Sequence, residues 1–297
     1  MYPAPFNYHR PQSLEAAIGL LSRYGDDASI MAGGQSLIPM LKMRVGEMTE
    51  LIDIRKLSDL DHIEQRGQTL HIGALATHAR IASAEVANQI PLLRECGGGI
   101  ADRQVRNMGT IGGGVSVADP SGDWPTGLAV LDAQLLLTGL SGTRLVSISD
   151  FIVDAYTTCL ESCELVTEIQ IPVPPAGSGS AYVAFKRAAP AYPTASAGIQ
   201  LTVKDNICTA ARLALGAAAP VAVVCRDAEA LLLGKEITTE LLESAAEAIV
   251  AVAEPPPDAR GSEAFKRAML RKLVVEAGQR ALGRCRGEDV SGAHHYA

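Results

Sequence analysis

The 297-residue sequence predicts an α+β protein: two small α/β subdomains, then a block in which a meander of strands gives way to helices. Three observations carry that expectation. Two hydrophobic approaches run into adjacent glycines beside a small hydroxyl residue, "IMAGGQS" and "NMGTIGGGV". A break rich in Pro, Gly and Ser, "PVPPAGSGS" from Pro172 to Ser180, has the chemistry of a linker. Beyond it, the strand-like "AYVAFKR", "ASAGIQLTV" and "ICTAARLAL" precede three helical stretches, "RDAEALLLG", "TTELLESAAEAIVAVAE" and "SEAFKRAMLRKLVVEAGQRAL".

Taken in order, Leu14, Ala17, Ile18 and Leu21 recur at helical spacing, and Gly25 is a stop signal. "SIMAGG" then reads as a short strand ending at glycines and "LIDIR" as another, which closes a first unit over residues 1–57. A second unit over 58–174 opens with the alternating "TLHIGALAT", continues as a helix from His78 to about Cys96, and passes Gly97 to Gly99 to the second glycine stretch. The apolar "GLAVLDAQLLLTG" follows, and "LVTEIQIPVP" is its closing strand. The third block spans 178–286, with "EPPPD" separating two of its helices, and the tail 287–297 is expected to fray or to dock on a partner.

Composition narrows the function. Hydrophobic residues make up 47% of the chain, enough for a substantial core. Lys plus Arg total 26 against 33 Asp plus Glu, a formal charge of -7, with no dense basic cluster to neutralise a phosphate backbone, so nucleic acid is not an expected partner. The N-terminus has no signal-peptide pattern and no apolar run reaches about 18 residues, so the chain reads as soluble and cytoplasmic, without a transmembrane segment. Six scattered cysteines read as reduced thiols. Cys159 and Cys163 lack the second pair that a zinc or iron-sulfur site needs, so no metal site is expected on this chain.

Adjacent glycines let backbone approach another group closely and can present several N–H donors on a concave surface, which suits an anion. Ser36 and Thr110 would add hydroxyls, and two such loops from different units could converge on the two phosphates of a dinucleotide. Neither stretch spells the Rossmann G-x-G-x-x-G between strand and helix, and no P-loop occurs. A dinucleotide held across two subdomains is what remains, with two ordinary glycine turns as the plainer alternative.

The resemblance of "AGGQSLIPMLKMR" and "TIGGGVSVADPSGDWP" is specific: they resemble the two FAD-binding motifs of the flavoprotein (medium) subunits of molybdenum hydroxylases, the xanthine and carbon monoxide dehydrogenase family. "LIDIRKLSDLDHIE", "LHIGALATHARIA", "DRQVRNMGTIGG", "EIQIP" and "YVAFKRA" follow in the family's order, so the likeness covers nearly the whole chain. It implies a vanillyl-alcohol-oxidase (PCMH)-type FAD-binding domain of two subdomains and a C-terminal α+β domain. It also implies an electron-transfer subunit holding non-covalent FAD in a dimer of heterotrimers. The iron-sulfur clusters belong to a small partner subunit and the molybdenum cofactor to a large one. A stand-alone flavin oxidase of the same fold is the alternative, although no general base is evident at the glycine loops.

By resemblance, Ala32, Gly33, Gly34, Gln35 and Ser36, with Thr110, Gly112, Gly113 and Gly114, wrap the pyrophosphate and adjoining ribityl chain, and Asp123 accepts from ribityl hydroxyls. Lys186 is placed near the flavin ring, and Tyr192 over it. A turn-capping aspartate and a solvated strand-edge lysine are the structural alternatives. Gln35 stands where the family often has His, and Gly114 where Asn is frequent. No catalytic residue is assigned. His71 and His78 read as structural, and Trp124 as either an interface anchor or a core residue.

Overall fold

The computed structural model describes residues 2–45, 48–291 and 295–296. The first unit is a parallel sheet of β1 (Asn7–His9), β2 (Ala28–Met31) and β3 (Glu50–Asp53), with β3 in the middle. Helix α1 (Leu14–Tyr24) crosses it as the spacing indicates: Ser13 Oγ accepts from Ala16 N at the start, Gly25 at φ +54° ends it, and Ala17, Ile18 and Leu21 are buried. Helix α2 (Leu37–Met43) joins β2 to β3.

In the second unit, β4 (Ile63–Arg66) and β5 (Thr69–Gly73) lead into six short helices: α3 (His78–Ser83), α4 (Val86–Gln89), α5 (Pro91–Gly99), α6 (Arg103–Met108), α7 (Ile111–Ser116) and α8 (Asp123–Val130). The single helix expected from His78 to Cys96 is therefore broken. Ala84 is extended (φ -66°, ψ 148°), and Pro91 restarts the chain at the first position of α5, where its missing N–H costs nothing. Gly97 to Gly99 end α5 rather than follow it, and the second glycine stretch is helical, as α7. Strands β6 (Gln134–Gly139) and β7 (Gly142–Ser147) come next, then α9 (Ile148–Phe151), the small hairpin β8 (Ile152–Asp154) and β9 (Thr157–Thr158), and finally β10 (Leu165–Pro172). The antiparallel sheet has the order β4-β5-β10-β6-β7, so the last strand in sequence lies at its centre and closes the unit.

The third block holds β11 (Ser178–Lys186), β12 (Pro193–Lys204), β13 (Ile207–Gly216), β14 (Val223–Val224), α10 (Arg226–Leu232), α11 (Thr239–Ala251), α12 (Glu263–Cys285) and β15 (His295–Tyr296), in the sheet order β14-β13-β12-β11-β15. Within the tail, expected to fray or to dock on a partner, His295–Tyr296 form β15, whose backbone lies parallel to β11. Both faces of this sheet are covered. Ala181 and Val183 enter the core shared with α11 and α12, while Tyr182 and Ala184 enter the core of the second unit, against α5 and α8. Helix α12 lies close on β11 because Gly179 has no side chain: a Cβ there would fall 2.1 Å from Ala281 O.

Candidate functional site

The segment from Ala32 to Ser36 links β2 to α2. Gly34 sits at φ +73°, a conformation that favours glycine, and Gly33 lies against the chain before α7, where a Cβ would be 2.3 Å from Met108 O. Among the described residues, the N–H groups of Gly33, Gly34, Gln35, Ser36 and Leu37 have no acceptor. Five consecutive donors are thus available at one spot. The Gln35 amide donates back to Gly33 O at 3.1 Å, which steadies the loop.

The second glycine stretch is built differently. Thr110 caps α7, its Oγ1 accepting from Gly113 N at 3.2 Å. Gly112 N donates to Ala74 O at 2.9 Å, and Gly114 N to Thr110 O at 2.9 Å. The expectation that both stretches present free amides therefore holds only for the first; the second spends its donors on its own helix and on the strand-end segment at Ala74. Gly113 faces the first loop, since a Cβ there would lie 3.8 Å from Ala32 Cβ, so the two stretches do converge.

Between them runs a two-lobed cleft. A lobe of about 320 Å³ lies between the first loop, α7 and the segment from Leu160 to Val166, and contains Ala32, Gly33, Gly34, Gln35, Ser36, Thr110, Gly112, Gly113 and Gly114 in its wall. A lobe of about 220 Å³ is bounded by Gly122 to Pro125, by Pro190 to Tyr192, and by Ile100, Ala101 and Val105. Gln35, Ser36, His78, Gly114 and Val117 border both lobes, which marks the point where they join. Asp123 lies in the wall of the second, and half-exposed Tyr192 stands at its rim.

Lys186 lines neither lobe. It is 0% exposed, which rules out a solvated edge lysine: its Nζ donates to Gly99 O at 2.8 Å and pairs with Asp123 Oδ1 at 3.1 Å. Tyr182 Oη also donates to Asp123 Oδ1, at 3.0 Å. Burial first, and the Asp123 charge second, push the Tyr182 phenol well above its usual range, so it stays a neutral donor. The aspartate in the cleft wall is therefore the visible end of a buried Lys-Asp-Tyr cluster that joins α8 to β11.

Trp124, 2% exposed, is a core residue, and its burial removes it as an interface anchor. Its Nε1–H donates to His78 Nδ1 at 3.0 Å. His78 was read as structural; no sequence signal marks it as a wall of both lobes, because the contact spans 46 residues. His71 does serve structure, binding Glu168 at 2.8 Å together with His62 at 2.9 Å.

Burial holds the His78 pKa down from 6.5 to about 4, with nearby Asp123 opposing and Arg106 reinforcing the shift. The unfolded chain takes up a proton near 6.5 that the folded chain refuses until about 4, so this stability is full above 6.5 and is lost as pH falls toward 4. Urea midpoints measured at pH 7.5 and 5.0 should fall on acidification, and His78→Gln should make the fall smaller. An equal fall in both proteins would show that His78 is not the group responsible.

Residues 4–174 match the family model described as FAD binding domain in molybdopterin dehydrogenase, and residues 180–281 match the CO dehydrogenase flavoprotein C-terminal domain. The chain belongs to the family of FAD-binding subunits of molybdenum hydroxylases. Its similarity to the carbon monoxide dehydrogenase medium chain of Afipia carboxidovorans is 38% identity, covering 96% of this chain and 100% of that one. The glyceraldehyde dehydrogenase medium chain of Sulfolobus acidocaldarius is 36% identical, over 93% and 98% of the two chains. Among solved structures, carbon monoxide dehydrogenase from Hydrogenophaga pseudoflava, in a form lacking the Mo-pyranopterin moiety of the molybdenum cofactor, superposes with a TM-score of 0.93 at 38% identity, covering 96% of this chain and 100% of that one. The chain is thus an oxidoreductase subunit with the PCMH-type FAD-binding domain and the C-terminal domain of this family.

Proposed function

We propose that the chain holds one FAD non-covalently across both lobes and serves as the electron outlet of a molybdenum hydroxylase. Its partners are a small iron-sulfur subunit and a large molybdenum subunit, arranged as a dimer of heterotrimers. The observation that carries this reading is the run of five unpartnered N–H groups from Gly33 to Leu37 at the head of a two-lobed cleft, in a chain of this family. Such donors suit a pyrophosphate. Ala32 to Ser36 cradle it, Thr110 and Gly112 to Gly114 form the opposing platform, and Asp123 receives sugar hydroxyls in the second lobe.

Tyr192 stands at the rim of that lobe and in this reading covers the ring, while Lys186 acts on the site through its pairing with Asp123 rather than by direct contact. When bound, FAD supplies the ability to accept electrons and pass them to an external acceptor; the chain supplies position and electrostatics. The working division is 1–57 and 58–174 for the two flavin subdomains, 178–286 for the C-terminal domain and 287–297 for the tail. No helix among the described residues is long and apolar enough to cross a membrane, and the six cysteines are free thiols, which suits the reducing cytoplasm.

Acid precipitation of the purified protein should leave a yellow supernatant with about one FAD per chain. Flavin retained in the pellet would mean a covalent bond, and FMN in the supernatant would mean that the loops do not hold a dinucleotide.

A further inference from the structure

Trp124 Nε1–H is a donor with no acceptor capacity, so the His78 Nδ1 facing it must carry the lone pair. The proton of the neutral ring is then on Nε2. His78 is 5% exposed and borders both lobes, yet Nε2 has no hydrogen-bond partner among the described residues. Nε2 is not sealed in by protein but opens on the cleft, where an acceptor can reach it. Two glycines leave room for the ring: a Cβ on Gly109 would sit 2.7 Å from Nε2 itself, and one on Gly114 would sit 3.1 Å from Trp124 Cδ1 and 3.7 Å from His78 Cε1, so a side chain at either position would crowd the pair.

We propose that His78 is a flavin-binding residue: Trp124 fixes its ring so that Nε2–H is offered to an acceptor oxygen of FAD where the two lobes meet. This inference rests on the FAD reading above. Trp124 is a positioning residue, acting on the site through its bond to His78, and Gly114 is the vacancy that lets the pair stand at the cleft. The contact is a neutral hydrogen bond, since burial keeps the ring uncharged at neutral pH. It adds orientation at the junction without adding charge beside the buried Asp123–Lys186 pair.

The test uses the full chain labelled with ¹⁵N-histidine, stripped of flavin and titrated with FAD. Long-range ¹H–¹⁵N spectra should show one histidine, absent in His78→Gln, that is protonated only at Nε2 and whose Nε2–H resonance moves downfield as FAD is added. Trp124→Phe should mix the tautomers of that ring and weaken FAD binding roughly tenfold. His78→Leu should weaken it about as much, and the double variant no further, since the two residues act through one bond. An Nε2–H resonance unmoved by saturating FAD overturns the proposal, as does full affinity in both single variants. The spectra of the unmutated chain decide the matter if either variant fails to fold. A chain that takes up no FAD at all would instead sink the flavin reading itself.

Discussion

Asp123→Ala should destabilise the flavin-free chain by about 3–5 kcal/mol, because it leaves the Lys186 ammonium buried without its carboxylate. The geometry behind this is specific. Lys186 is 0% exposed, its Nζ has Asp123 on one side and Gly99 O on the other, and the surrounding wall is Tyr182 and the apolar core of α5 and α8. A backbone carbonyl can accept one hydrogen bond from the ammonium but cannot balance its charge. Asp123→Asn keeps an acceptor for Tyr182 Oη and still removes the charge, so it should be nearly as damaging. Removing both charges with Asp123→Ala and Lys186→Met should recover most of the loss, since an apolar pair can replace a buried ion pair at little cost. Urea unfolding of the four proteins without FAD measures this free of ligand linkage. A single Asp123→Ala variant within about 1 kcal/mol of the parent would show that the lysine is hydrated or otherwise paired.

The same cluster shows what the sequence could and could not convey. Apolar spacing placed α1, β5 and α12, while apolar runs placed β10 and the three-strand meander, in which β11 and β12 are buried at most positions. Motif resemblance brought Asp123 and Lys186 into one list, but nothing in "AYVAFKR" says that its second face is also covered. That depends on α5 and α8 packing against Tyr182, Ala184 and Lys186 from the other domain, contacts 59 and 63 residues apart along the chain.

The glycines were legible as close approaches but not as to what approaches. Gly33 meets the backbone at Met108, and Gly112 meets Ala74, so part of their role is to bring the two subdomains together. The broken helix after His78 was misread because apolar residues continue at helical spacing through Ala84 to Pro91, while the breaks come from one extended alanine and one proline. Tyr192 was placed by resemblance alone, and its half-exposed position at the rim leaves it dependent on what occupies the lobe.

The flavin-loaded chain, mixed anaerobically with the substrate of its complex, should not bleach, yet it should bleach within the assembled complex. The difference should be all or nothing. A substrate oxidised directly beside the flavin needs a base or an electrophile near the ring. The lobe proposed to hold the ring offers a tyrosine at its rim, a neutral histidine already bonded to Trp124, and two carboxylates: Asp123, held by Lys186 and Tyr182, and Asp119, which accepts from Ser121 N at 2.8 Å. Asp123 is committed to balancing the buried ammonium, and Asp119 to the turn at Ser121. Electrons are therefore expected to enter from a redox centre on another polypeptide, the division of labour of a medium subunit. The experiment follows flavin absorbance after adding substrate to the chain alone, then to the chain with the small subunit, then with both partners. Bleaching only in the last mixture supports the relay. Rapid substrate-dependent bleaching of the isolated chain would make it a stand-alone flavin oxidase, with Asp119 in the cleft wall as the proton acceptor to test next.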